Sequence, residues 1–208
     1  MQIRNSIVSA ETEIVELDLK NGDYWWSTRL YLLAALADDD SPIRAFAFVD
    51  QGIERRFVGI CRPAVRKALA NAYPVLAKAY FDITTDPNVM NVPLAERVRF
   101  IVKNWVGHPF GGGQNELNVM EKVSKQRLAD WLSRANEELL TDSIDWPGVS
   151  DSSLLRQIVR DYKSDYVALL RGGRLDRIVD RRALAMRIAQ ETLKSVTRRI
   201  AGMAGLAE

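Results

Sequence analysis

Residues 45–70 read AFAFVDQGIERRFVGICRPAVRKALA, and residues 165–189 read DYVALLRGGRLDRIVDRRALAMRIA. Both stretches have a short apolar run, turn at glycine, resume in a strand that begins at arginine, and pass into a segment with helical spacing and a basic face. In the first, residues 45–49 have the length and continuous apolar character of a buried strand. Residues 56–61 (RFVGIC) are its hairpin partner across Gln51-Gly52. Pro63 suits a first helical turn, where an amide hydrogen is not needed, and Val65, Leu69, Ala72 and Leu76 then share one face of a helix over 64–80. Pro74 bends or divides that helix. In the second stretch, Gly172-Gly173 joins strands at 166–170 and 174–179. Asp180 is the expected N-cap of a long basic helix along which Leu184, Ile188 and Leu193 continue an apolar stripe.

Working outward, the alternation within residues 13–19 predicts a half-buried strand. Residues 24–38 predict a helix with Trp26, Leu30, Leu33 and Ala37 inward, stopping near Ser41-Pro42 because the residue before proline leaves the α region. Residues 82–93, with two prolines, read as a loop and 94–105 as helix. Residues 117–123 read as a strand, Ser124 as the N-cap of a helix through Trp131 to about residue 140, 141–151 as a loop, and 152–161 as a helix facing inward through Leu154, Leu155, Ile158 and Val159. The expected class is α/β (α+β), helix-rich, with two pseudo-equivalent helix-strand-strand-helix units around small sheets. Residues 1–106 form the N-terminal unit, 107–116 a flexible glycine-rich connection, and 117–208 the C-terminal unit with its basic helical tail.

The order helix, strand, strand, helix, twice over, resembles the CBS-domain family, whose modules occur in pairs. The resemblance covers roughly residues 24–80 and 150–193. Its most similar stretch is Phe48-Val49-Asp50 followed by Phe57-Val58-Gly59-Ile60, which looks like that family's apolar-Val-Asp and Gly-apolar pattern. It implies paired modules. Where the family carries Ser or Thr three residues after the glycine and Asp three further on, this chain has Arg62 and Val65. The second unit has Arg177 in place of the glycine, then Asp180 and Ala183. The resemblance therefore implies topology rather than adenine-nucleotide binding.

With 47% hydrophobic and 27% charged residues among 208, the composition is that of a folding chain rather than a disordered one. A single cysteine, Cys61, excludes a disulfide framework within one chain and fits a reducing compartment. Residues 1–20 lack the apolar stretch of a signal peptide, and no window reaches the ~18 apolar residues of a membrane span, so a cytoplasmic protein off the membrane is expected. The formal charge of +2 hides an asymmetry. Residues 1–150 hold 17 Lys+Arg and 20 Asp+Glu, net −3, whereas residues 151–208 hold 12 and 7, net +5.

Candidate chemistry is sparse. Cys61 and His108 could form a nucleophile-base pair only if they met, and Cys61 ends an apolar strand, where cysteine packs as a small hydrophobe. Gly111-Gly112-Gly113 lacks the Lys-Ser/Thr ending of a phosphate loop. The carboxylates of Asp38-Asp39-Asp40 diverge and do not readily surround one ion. Neither catalytic residues, nor a metal, nor a cofactor is expected. What remains is surface. In a helix over 180–200, Arg187 and Arg198 are eleven positions apart on one side, and Arg181 and Arg199 align eighteen apart. With Arg182 they are candidates for binding an acidic partner. Trp25 and Trp26 cannot share one face, so one of them belongs at a rim or interface, and Trp25 is the candidate. The expected function is a non-enzymatic regulatory or interaction protein that binds a protein partner, itself or a small ligand. The alternatives are nucleic-acid binding through the basic region and an enzyme using scattered carboxylates.

Overall fold

The computed structural model describes residues 4–9, 12–20, 25–38, 43–108, 110, 121–145 and 152–204. The chain runs β1 (Arg4–Ser9), β2 (Thr12–Asp18), α1 (Ser27–Asp38), β3 (Ile43–Asp50), β4 (Arg56–Cys61) and α2 (Val65–Ala72). It continues through α3 (Pro74–Thr84), α4 (Pro87–Met90), α5 (Leu94–Gly107) and α6 (Lys125–Arg134). It then runs β5 (Ser143–Asp145), α7 (Ser152–Asp161), β6 (Tyr166–Arg171), β7 (Arg174–Asp180) and α8 (Arg181–Ala204). The expected α/β class holds.

The strands form one mixed sheet in the order β1-β2-β3-β4-β7-β6-β5, so residues 45–61 and 166–179 lie in a single sheet. β2 and β3 are parallel with α1 between them in the chain, and β3 and β4 are an antiparallel hairpin followed by α2. β5 and β6 are likewise parallel with α7 between them, and β6 and β7 are a hairpin followed by α8. At the junction, Arg56 of β4 pairs with Arg174 of β7, and the Leu175 amide donates to the Arg55 carbonyl at 3.2 Å.

Strand β3 shows why AFAFV is apolar without alternation. Phe46 and Phe48 point into a core shared with Leu30 and Tyr31 of α1, Leu69 of α2, Leu76 of α3, Trp105 of α5 and Trp131 of α6. Ala45, Ala47 and Val49 point the other way, where they pack with Ile14, Ile60, Tyr166, Ala168, Leu175 and Ile178. This second core joins one face of β2–β4 to one face of β6–β7, with Ala45, Ala47 and Ala168 set among its larger side chains. A third cluster seats Ile158 of α7 on Val167, Leu169 and Val179. Helices therefore cover the outer faces, and the two halves of the sheet meet on their inner ones.

Several local expectations need correction. The segment 82–93 is not a continuous loop: α3 runs to Thr84, and Asp86 caps α4 by accepting from the Asn88 amide at 2.8 Å, with Pro87 at the first helical position. Pro74 does divide the helix over 64–80, α2 ending at Ala72 and α3 beginning at Pro74, and Pro87 likewise starts a helix, inside the expected loop. The helix after Ser124 ends at Arg134, not near 140, and residues 139–140 lie along β4, where Leu140 and Ile60 exchange backbone hydrogen bonds of 2.8 and 2.9 Å. The segment 141–151 contains the short strand β5. Of the expected strand 117–123, the described residues 121–123 are extended beside Trp25 to Ser27, and residues 117–120 lie outside the described residues. Most of the connection 107–116 also lies outside them. Gly107 ends α5, and Phe110 packs on Trp105 with ring centroids 4.5 Å apart.

Candidate functional site

Two adjoining clefts, of about 540 and 620 Å³, open where the loop after β4, the loop before β6 and the start of α8 converge. Both are lined by Arg62, Glu137, Asp165 and Arg182. Asp165, mostly buried, sits between two guanidiniums: Arg62 donates to its Oδ2, and Arg182 Nε lies 3.0 Å from its Oδ1. Each member comes from a different element, so the carboxylate ties the N-terminal half of the sheet to the C-terminal half and to α8. Tyr166 borders the same cleft. Burial pushes its phenol up, the Asp180 and Asp165 carboxylates add to that, and Arg62 and Arg44 oppose it.

The arginines singled out in the sequence separate into different roles. Arg181 is turned inward to the backbone: its Nε donates to the Ser164 carbonyl at 3.0 Å and its Nη1 to the Val159 carbonyl in the last turn of α7 at 3.3 Å. Arg182 belongs to the Asp165 bridge. Arg187 is exposed and lies 3.5 Å from Glu191, one helical turn on. The side chains of Arg198 and Arg199 lie outside the described residues, although their backbone belongs to α8. Asp180 caps α8 as expected, its Oδ1 accepting from the Ala183 amide at 3.0 Å.

The helix that carries them is the most unusual element. Leu184, Ala185 and Ile188 are partly buried against the body, but every described side chain from residue 189 onward is exposed. Met186, just before that length, is 59% exposed, and along it Leu193 and Ile200 are 67% and 63% exposed and Val196 47%. About 18 Å of helix over residues 189–200, at 1.5 Å per residue, thus carries an apolar stripe into solvent. A shorter stripe of Val98, Val102 and Val106 lies exposed along α5.

Of the two adjacent tryptophans, Trp25 is buried and its carbonyl accepts from the Val123 amide at 3.0 Å. Trp26 is the partly exposed member, with Lys122 Nζ 5.8 Å from its ring centroid. Cys61 is buried, and its thiol is pushed up by burial and by the Glu137 carboxylate, so the thiolate that a nucleophile requires is suppressed. His108 lies against Phe110 at the end of α5, ring centroids 4.8 Å apart. Gly111 to Gly113, Asp39 and Asp40 lie outside the described residues. Among the described residues no group of three or more His, Cys, Asp and Glu side chains is placed to hold a metal, and no helix is long and apolar enough to cross a membrane.

Asp165 escaped the sequence reading because its Arg62 partner is 103 positions away. The α8 stripe did leave a sequence signal, the seven-residue spacing of Met186, Leu193 and Ile200, which the arginines between them obscured. No protein-family model, no curated protein and no solved structure matches this chain.

Proposed function

We propose that this chain is an interaction protein whose docking element is α8. The observation that carries the reading is the exposed stripe Met186, Leu193, Val196 and Ile200 on a helix in which no described side chain from residue 189 onward is buried. A helix standing in water draws most of its stability from packing an apolar face, so this segment gains most by laying that face on another surface. By helical position Arg187 and Arg198 fall on the side opposite the stripe, and the exposed Arg187 can meet an acidic surface there when the stripe is covered. Arg181 and Arg182 serve to anchor the helix at its base. The same order of elements in the two halves supports a paired scaffold resembling the CBS-domain arrangement, with α8 as its outward arm.

The test is size fractionation of an extract from the source cells carrying the tagged chain, intact or as Leu193→Asp. Elution of the intact chain in a species larger than the monomer, lost in the variant, is the expected result. The same elution for both would refute α8 as the docking element.

A further inference from the structure

The periodicity of α8 narrows the occupant of its exposed face. Numbered from Met186 as position a of a heptad, Met186, Leu193 and Ile200 fall at a and Ala189 and Val196 at d, and the sequence continues the series to Met203. A helix that packs on a globular surface keeps a 3.6-residue period and a broad apolar face. Leu184 at f and Ile188 at c pack on the body, and beyond them the larger apolar residues of α8 fall only at a and d, the narrow seam by which one helix packs along another.

The flanking positions select the partner. In a coiled coil the e and g residues face the other chain and set by their charge what it can be. Along the part of the helix that stands clear of the body the e positions are Gln190 and Thr197 and the g positions are Thr192 and Arg199, so three of the four are uncharged. A helix built to receive an acidic partner would place its lysines and arginines there. This one places Arg187 and Lys194 at b and Arg198 at f, on the outer side, and Glu191, also at f, lies 3.5 Å from Arg187. A strongly basic helix can therefore meet a copy of itself with little like-charge apposition across the seam. Resting on the reading of α8 as the docking element, we infer that the α8 seam is covered by the α8 seam of a second copy of this chain.

The test uses the purified full chain in sedimentation velocity from about 1 to 200 μM, as the native sequence and as Leu193→Asp and Ile200→Asp. Both side chains are exposed in the single chain, so neither change touches its core, and unaltered thermal melting of dilute samples confirms that. The native chain should associate as concentration rises, and either variant should weaken that association by at least about 100-fold, as an aspartate in a dry seam requires. A native chain that stays monomeric at 200 μM overturns the inference. If its large species in extract still depends on Leu193, the docking role of α8 survives with a different protein in the seam. Leu193-dependent sedimentation of the monomer with phosphatidylserine vesicles would overturn it equally, in favour of a lipid surface. Association of the native chain that both variants retain would overturn the inference and count against the α8 reading together.

Discussion

At Glu54 and Arg55 the backbone enters the left-handed region twice in succession, with φ of 54° and 61°, where side chains with a Cβ are strained. Side-chain contacts hold it there. Arg55 grips the almost wholly buried Glu16 carboxylate with two hydrogen bonds, Nη2 to Oε2 at 2.5 Å and Nε to Oε1 at 3.1 Å, and Glu54 pairs with Arg174 across the β4–β7 junction. Arg55→Ala leaves that carboxylate buried without its partner and should cost about 3 kcal/mol in chemical denaturation. Glu16→Gln, which removes the charge but keeps the shape, should cost about 1 kcal/mol. Gly59 meets a different need. A Cβ there would lie 2.7 Å from Cγ of Leu139, so the glycine lets residues 139–140 lie close along β4. Gly59→Ala should lower stability by about 1–3 kcal/mol through overpacking. The two kinds of glycine differ in what the sequence reveals. Gly172-Gly173 announces its tight hairpin, and both residues take positive φ, 58° and 78°. Gly59 looks like part of a strand motif until Leu139, eighty positions on, is seen over it.

Elements were legible where a local pattern governs them. The hairpin strands at 56–61 and near 166 and 174, the Ser124 and Asp180 caps, and the helix after residue 94 follow from alternation, capping chemistry and helical spacing. The stretch around Pro87 reads as a loop because the same ring that ends one helix is accepted at the first turn of the next. The three-residue β5 has one apolar side chain, Ile144, and is a strand only because β6 lies beside it. In α8 the arginine density drew attention to the outer side of a helix whose apolar side is the unpartnered one. Changing Arg187 and Arg198 together to Glu should therefore leave self-association within about threefold and stability within about 1 kcal/mol, read by sedimentation and thermal melting. A large loss of self-association would place the contact on the basic side instead.

At the scale of the whole molecule, the two halves share a core, so chemical unfolding should be one cooperative transition with aromatic and backbone signals coincident. Asp165→Ala, which removes the carboxylate between Arg62 and Arg182, should shift that transition by about 1–2 kcal/mol without changing its slope. Two separate transitions would show halves that fold alone. The strand order was not legible for a physical reason. What places β7 beside β4 is a set of contacts more than 100 positions apart in the chain, such as Arg174 with Glu54 and Leu175 with Arg55, and none has a local signature.

That separation also sets a timetable for synthesis. The inner face of β2–β4 is complete once residue 61 has emerged, whereas its cover begins with Tyr166. At 5–20 residues per second this apolar face waits roughly 5–20 s on the ribosome before the second half arrives. Ile14, Val49 and Ile60 stand uncovered in that interval, and Ala45 and Ala47 between them reduce the apolar area offered to neighbouring nascent chains. The two alanines of β3 thus lessen the hazard of translating the fold in order, at the cost of part of the hydrophobic gain when the halves close.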